Sequence, residues 1–276
     1  MRKRANPADR PAVEANDAED RQFVTALHRG LEILRCFKPT DLAGLGNVQL
    51  AERTGLPHST VSRLTYTLTA LGYLLYDTET ARYRLGIPVL GLGYACLAGL
   101  KVRETAREYM REMAQRAGEN LLVALGGRDD LTMVYIACAR SKGIVSLQLD
   151  VGSRISLGRS AMGRAYLAGT SEEERARLMQ QIRARAGEAA WPALEAGIED
   201  AVRQVREKGF YTNLGEWNSG VNAVAVPYRS AYSDMPLMAF NCGGPAFLHT
   251  QKALEEKIGP LLVDLVRTVS LANGDA

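Results

Sequence analysis

Residues 47–66 read NVQLAERTGLPHSTVSRLTY, and this stretch decides the fold of the N-terminal part of the chain. Two helices that cross near a right angle need a small side chain at the crossing, and Ala51 supplies it. The turn between them needs a residue that tolerates positive φ, here Gly55. Val61 of the second helix then packs into the core. Pro57 stands at a first helical turn, where its missing N–H costs nothing. The stretch therefore predicts a helix-turn-helix.

The flanking sequence completes a winged version of this motif. Apolar residues recur at helical spacing over residues 23–37, which predicts a first helix ahead of the short second helix at 48–54. The third helix is expected over 57–71. Two strand-like segments, 73–76 and 82–85, follow with a polar turn between them and predict a hairpin.

The third helix has the composition of a DNA-reading helix. Its sequence carries no Asp or Glu between Glu52 and Asp77, so nothing on it repels phosphate. Arg63 can pair with guanine O6 and N7, while serine and threonine hydroxyls reach phosphates or base edges. The predicted DNA-binding residues of this helix are His58, Ser59, Thr60, Ser62, Arg63 and Tyr66.

The predicted hairpin adds two basic residues to this surface. Arg82 and Arg84 alternate with Tyr83, so both arginines share one face that suits a minor groove or the backbone. The net charge of the whole chain is only +3, which does not by itself indicate a nucleic-acid partner. The prediction of a double-stranded DNA operator as partner rests on the placement of residues.

Residues 87–100 predict an apolar linker helix. The uncharged run is shorter than the roughly 18–20 residues that a membrane span needs, so we expect no membrane partner. We expect it to be buried between the two protomers of a homodimer, because symmetric dimers match palindromic operators. The alternative is a helix packed on its own C-terminal domain.

The remainder of the chain alternates between strand-like and helix-like segments and predicts an α+β domain. Asp129 and Asp130 lie between two apolar runs and indicate a tight antiparallel hairpin. Strands are expected over 121–126, 131–137, 144–149, 221–227 and 236–241, and helices over 101–117, 161–168, 172–185, 193–208 and 251–271.

Several stretches, in this order, resemble the IclR family of transcription regulators, and the likeness spans residues 23–272. They are FVTALHRGLEILRCF (23–37), LAERTGLPHSTVSRLTYTLTALGYL (50–74), RYRLG (82–86), GSRISLGRSAMGRAYLAG (152–169), GVNAVAVPYR (220–229) and FNCGGPAFLHT (240–250). The resemblance implies a winged helix-turn-helix, a linker helix, a GAF-like α/β effector-binding domain, and a dimer or tetramer. It also implies control of catabolic genes by small carboxylates or aromatic acids.

The resemblance and the residues together divide the chain into four parts. Residues 1–21 are polar and predict a disordered arm, whose basic start Arg2-Lys3-Arg4 either touches phosphate or is a solvated tail. We expect the winged helix-turn-helix DNA-binding domain at 22–86, the linker and dimerisation helix at 87–100, and the effector-binding domain at 101–276. No signal peptide is evident, which favours a cytoplasmic protein.

The effector is expected at the start of a helix near residue 160. A helix N-terminus presents unpaired N–H groups and partial positive charge, which suit a carboxylate. The chain has Ser156-Leu157-Gly158-Arg159 where family members commonly have a Pro-Leu-His-Ala-like run, and Arg159 offers an added charge-assisted bond to an acid. The predicted effector-binding residues are Arg159, Ser160, Ala161, Met162, Gly163, Glu216, Asn241, Cys242 and Gly243.

Other function classes find less support in the sequence. Ser160, Asp234 and His249 occur in the order of an α/β-hydrolase triad, but Met162 stands where the nucleophile elbow needs its last glycine. An enzyme domain fused to a DNA-binding module and an architectural DNA-binding protein without a ligand remain as alternatives. No nucleotide-binding or metal motif is present, so we expect no cofactor, no metal and no catalytic residues. The four cysteines are scattered and predict buried free thiols.

Overall fold

The computed structural model describes residues 22–230 and 235–274, and the predicted arm at 1–21 lies outside them. The chain divides into two compact units, one ending at Gly99 and the other beginning at Leu100. In the described residues no helix is both long and apolar enough to cross a membrane.

The first unit is a helical core with a two-stranded wing. Its core is formed by Ile33, Leu45, Leu50, Val61 and Leu74, each at most 1% exposed. The elements are α1 (Thr25–Arg35), α2 (Asn47–Thr54), α3 (His58–Ala70), β1 (Leu74–Asp77), β2 (Arg82–Leu85) and α4 (Ile87–Gly99).

The turn between α2 and α3 has the geometry that the sequence predicts. Gly55 has φ +68°, in the left-handed region, and its N–H donates to the carbonyl of Ala51 over 2.8 Å. Ala51 and Val61 are both buried in the core between the two helices. The helix-turn-helix interpretation is therefore confirmed at each of its three positions.

The wing is an antiparallel hairpin in which Leu74 pairs with Leu85 and Asp77 with Arg82. The Asp77 carboxylate closes its turn by accepting hydrogen bonds from the amides of Glu79 and Thr80 and from the Thr80 hydroxyl. These bonds favour the ionised form and lower the pKa of Asp77. The wing is thus held in one conformation by its own sequence.

The second unit begins with α5 (Lys101–Ala117). It continues with β3 (Leu122–Asp129), β4 (Thr132–Arg140), β5 (Arg154–Ser156), α6 (Ala161–Gly169), α7 (Glu172–Ala186), α8 (Trp191–Lys208), β6 (Tyr211–Leu214), β7 (Val221–Tyr228) and β8 (Met238–Pro245). It ends with a short helical turn α9 (Gln251–Ala253), a π-helical stretch (Leu254–Ile258) and α10 (Gly259–Ala272).

One antiparallel sheet, in the order β5-β4-β3-β8-β7-β6, separates two hydrophobic cores. On one face Met110, Phe240 and Leu262 join α5 and α10 to the sheet. On the other face Met162 and Ile198 belong to a cluster that joins α6, α7 and α8 to the sheet. The mixed α+β class and the hairpin at Asp129-Asp130 are confirmed.

Three features differ from the sequence expectation. Residues 144–149 form no strand, because the edge position beside β4 is taken by β5 and Ile144 is fully exposed. The short strands β5 and β6 were not predicted, since three or four residues carry too little period to detect. Cys242 is the buried cysteine of the four, whereas Cys96 on α4 is exposed.

Candidate functional site

The exposed face of α3 carries most of the predicted DNA-binding residues. His58, Ser59, Arg63 and Tyr66 are exposed, and Thr60 is partly buried. The Arg63 guanidinium has no hydrogen bond or ion pair within the described residues. An unpaired guanidinium on an acid-free helix face is available for a guanine edge or a phosphate.

Other polar residues of this unit are engaged within the protein. The Ser62 hydroxyl accepts a 3.4 Å hydrogen bond from Asn47 Nδ2. Arg53 of α2 grips both oxygens of Asp41, with Nη1–Oδ2 at 2.6 Å and Nη2–Oδ1 at 2.9 Å. Its hydrogen bonds, together with the Lys38 amide, lower the pKa of Asp41 to about 2. This pair fixes α2 against the segment that follows α1.

The two wing arginines have different surroundings. Arg82 Nη1 donates to the Gly44 carbonyl over 2.8 Å and to Gln49 Oε1 over 3.2 Å, so its side chain ties the wing to the start of α2. Arg84 is exposed. Arg82 is thus partly buried and has acceptors of its own, and the prediction that both arginines contact DNA stays a prediction.

The start of α6 is built by a serine cap and a close backbone contact. Ser160 Oγ accepts from the Gly163 amide over 3.0 Å and donates to the Ser156 carbonyl over 2.6 Å. A Cβ on Gly163 would lie 2.2 Å from the Leu157 carbonyl oxygen, so only glycine allows this approach. The first amides of α6 have no intrahelical acceptor and therefore carry partial positive charge.

Ser160 and Ala161, at the start of α6, line a small cavity that is partly open to solvent. Its lining contains no charged side chain among the described residues. The lining residues are Leu122, Tyr135, Leu147, Leu149, Ile155, Ser160, Ala161, Asn213, Trp217, Val221, Ala223, Asn241 and Gly243.

Asn241 places an unpartnered polar atom in this lining. Its side-chain Nδ2 donates to the Tyr135 hydroxyl over 3.1 Å. Its Oδ1 is buried and has no hydrogen-bond partner within the described residues, and the residue is 7% exposed. Burial raises the pKa of Tyr135, so its hydroxyl stays protonated. The residues that line the cavity thus include one buried acceptor without a partner.

A buried arginine supports the loop that carries Trp217. Arg164 is 2% exposed and donates to the Gly158 carbonyl, the Tyr211 hydroxyl and Glu216 Oε2, over 3.0, 2.5 and 2.7 Å. Burial raises the pKa of Tyr211 to about 12. The ion pair between Arg164 and Glu216 therefore anchors the loop after β6 to α6.

Comparison with known proteins agrees with both units. The family model for the bacterial transcriptional regulator IclR C-terminal domain matches residues 94–271, and the model for the IclR helix-turn-helix domain matches residues 26–78. The chain belongs to the IclR family. It is therefore a DNA-binding transcriptional regulator, as the helix-turn-helix indicated.

IclR-family relatives match most of the chain. The HTH-type transcriptional regulator TsaQ1/TsaQ2 of Comamonas testosteroni is 34% identical over 249 residues, covering 90% of this chain and 87% of its own. An IclR family transcriptional regulator of Brucella abortus has a TM-score of 0.87 at 42% identity, covering 95% of this chain and 99% of its own. An IclR homologue of Microbacterium hydrocarbonoxydans, complexed with 4-hydroxybenzoate, shares the fold at 20% identity, with a TM-score of 0.66 and coverage of 91% and 100%.

In this IclR-family domain, some of the predicted effector-binding residues line the cavity and others do not. Ser160, Ala161, Asn241 and Gly243 line it. These four come from two places distant in sequence, the start of α6 and strand β8.

The other predicted residues have different positions. The Arg159 side chain lines a separate groove. Met162 is packed in the core, and Gly163 contacts Leu157. Cys242 belongs to the core on the opposite face of the sheet, because successive residues of a strand point to opposite faces. Glu216 pairs with Arg164 and does not line the cavity.

Sequence reasoning missed Tyr135, Asn213 and Trp217 as lining residues. Asn213 and Trp217 lie in the polar stretch 211–220, and Trp217 is one of only two tryptophans in the chain. A tryptophan in a polar stretch is a signal by which these two residues could have been predicted. Tyr135 sits in an apolar run whose neighbours give no such signal.

Proposed function

We propose that this IclR-family regulator binds a small organic acid with a hydrogen-bond donor, and that the bound acid changes its affinity for operator DNA. The observation that carries the proposal is the buried, unpartnered Asn241 Oδ1 in the cavity at the start of α6. Control of catabolic genes by such acids is what the family resemblance implies.

The acid group is assigned to the α6 end of the cavity. The lining holds no charged side chain, so the amides at the start of α6 are its principal anion-binding feature. Backbone N–H groups and the helix dipole together favour a carboxylate at such a position. Ser160 acts on the ligand indirectly, since its hydroxyl is already used within the cap.

The donor of the ligand is assigned to Asn241. A buried acceptor without a partner costs roughly 1–3 kcal/mol, and a ligand hydroxyl that donates to Oδ1 offsets that cost. Leu147, Leu149 and Trp217 give the cavity apolar walls, which suit an aromatic or aliphatic body. A hydroxy acid has all three features.

Calorimetric titration of the full chain tests this assignment with three probes: 4-hydroxybenzoate, benzoate and 4-hydroxybenzyl alcohol. We expect the first to bind about tenfold or more tightly than either of the others, since each lacks one of the two polar groups. The variant Asn241→Leu should lose the preference for 4-hydroxybenzoate over benzoate. Equal binding of these two acids to the parent, or an unchanged preference in the variant, contradicts the assignment.

We propose that operator contact is made by the exposed face of α3, with Arg63 reading bases and Arg84 of the wing meeting phosphate. The exposure of both side chains supports this, as does the absence of acids on α3. His58, Ser59, Thr60 and Tyr66 flank Arg63 on the same helix. Ser62 is assigned a smaller contribution to DNA binding, because Asn47 already donates a hydrogen bond to its hydroxyl.

We propose a homodimer or homotetramer and no catalytic activity. None of the residues of α4 is buried within the chain although the helix has no charged residue, and burial against a second copy accounts for both facts. The Ser160 hydroxyl donates to the Ser156 carbonyl and not to a histidine. That bond gives no support to a hydrolase, and Asp234 lies outside the described residues.

A further inference from the structure

A second groove lies beside the effector cavity and is distinct from it. Its volume is about 200 Å³, and it is open to solvent. The turn before α6, the C-terminal part of α7 and Leu194 of α8 form its walls. Its lining residues are Leu131, Ser156, Gly158, Arg159, Ile182, Arg185, Ala186 and Leu194.

We infer that this groove binds a second small organic carboxylate with an apolar body, at Arg159 and Arg185. The inference does not depend on which ligand the α6 cavity takes.

The charge of the groove comes from two arginines without partners. Arg159 and Arg185 are both exposed, and neither guanidinium has an ion pair or hydrogen bond within the described residues. Arg183, two residues before Arg185, differs because it holds both oxygens of Glu188, over 2.8 and 2.6 Å. The lining contains both arginines and no acidic residue, so the groove has an excess of positive charge. A carboxylate forms charge-assisted, bidentate bonds with such guanidinium groups.

The floor of the groove is apolar. Ile182 and Leu194 are 6% and 5% exposed. A Cβ on Gly158 would lie 3.1 Å from Ile182 Cγ2, so the glycine lets the turn lie directly on α7. A ligand with an apolar body covers this floor, whereas inorganic phosphate has nothing to place there.

The turn that bears Arg159 is shared with the effector cavity. Its carbonyl accepts a 3.0 Å hydrogen bond from Asn213 Nδ2, and Asn213 lines the cavity. The next residue, Ser160, caps α6. A ligand that orders Arg159 therefore acts on the wall of the cavity, and by linkage each ligand changes the affinity for the other by the same factor.

Titration and crystallography with 4-iodobenzoate test the inference on the full chain. Calorimetry of the parent should show a component of 4-iodobenzoate binding that depends on the groove. The double variant Arg159→Gln, Arg185→Gln should lose this component or bind it about tenfold or more weakly. The exposed Arg206→Gln, which removes one positive charge on α8, should keep this component. Crystals should show anomalous iodine in the groove of the parent and none there in the double variant.

Each other outcome overturns the inference. No binding to the parent, or binding that the double variant retains in full, removes the groove as a site. Iodine in the groove of the parent, without a component in solution that the double variant loses, means binding at crystal concentration only. Equal displacement of the probe by sodium phosphate contradicts the role of the apolar floor. Asn241→Leu separates this inference from the proposed function, because binding to the groove should persist in that variant.

Discussion

Arg164 and Glu216 form an ion pair whose two ends have very different surroundings. The side chain of Arg164 is 2% exposed, while that of Glu216 is 46% exposed, with Nη1 and Oε2 2.7 Å apart. Gly197 makes room for the guanidinium, because a Cβ there would lie 2.2 Å from Arg164 Nη2. The pair therefore holds a fully buried positive charge against α8 and anchors the loop after β6.

Removing the acid of this pair should destabilise the second unit strongly. Glu216→Ala leaves Arg164 buried without its counter-charge, and such losses cost about 3 kcal/mol. Urea denaturation measures the change in the free energy of unfolding. Glu188→Ala is the matched control, since its pair with Arg183 lies on the surface, and it should change stability very little. Equal effects from the two variants would contradict the structural role of the pair.

Alanine substitutions of Arg63 and Arg84 should change DNA binding in different ways. Arg63→Ala should weaken specific operator binding by about 1–3 kcal/mol and relax preference at one base position. Arg84→Ala should weaken specific and nonspecific binding alike and reduce the salt slope by about 1. Fluorescence anisotropy on an operator fragment selected in vitro, at several salt concentrations, separates these patterns. An Arg63→Ala protein with parental affinity and specificity would show that α3 is not the reading helix.

Helix α4 should determine the oligomeric state. Leu90 is 69% exposed in the single chain, so Leu90→Asp should place a charge in the interface between protomers. Light scattering at micromolar concentration should then change from a dimer or larger species toward the 30.1 kDa monomer. Leu42→Asp, at a position 85% exposed outside α4, should leave the assembly intact. A monomeric parent would refute the prediction.

The helix-turn-helix could be predicted from sequence because its requirements are local. Ala51, Gly55 and Val61 each meet a geometric demand set within one short segment. Arg82 could not be placed in the same way. Its acceptor Gly44 lies 38 residues away, and only the folded hairpin brings the two together.

The cavity at the start of α6 was harder to predict because the sheet assembles it from distant segments. Strand pairing sets Asn241 opposite Ala124 in the neighbouring strand, and no periodicity in sequence reports such a register. The prediction that Cys242 binds the effector could have been avoided. Side chains of successive strand residues point to opposite faces, so Cys242 cannot share a face with Asn241 and Gly243. Residues 144–149 have strand-like apolar spacing, yet Leu147 and Leu149 serve as cavity wall.

His249 should make stability depend on pH. It is 8% exposed, and burial lowers its pKa below the usual 6.5, although a hydrogen bond with the Asn120 backbone opposes this effect. Just below pH 6.5, His249 is protonated more in the unfolded chain than in the folded chain. The free energy of unfolding should therefore fall as the pH drops through this range.

The measurement is urea denaturation of the parent and of His249→Gln between pH 7.5 and 5.5. The variant should show a shallower pH dependence than the parent, because it lacks the titrating group. Identical slopes for the two proteins would mean that His249 does not cause the dependence.

The most direct test of the account is operator affinity with and without acid, for the parent and for Asn241→Leu. Anisotropy titrations of a selected operator fragment are repeated with a panel of aliphatic and aromatic hydroxy acids. We predict that at least one acid changes the parental Kd for DNA about tenfold. In Asn241→Leu the same acid should change it by less than about twofold, with acid-free DNA binding intact. Operator affinity that no acid alters, or an equal response in both proteins, would contradict the proposal that this cavity controls DNA binding.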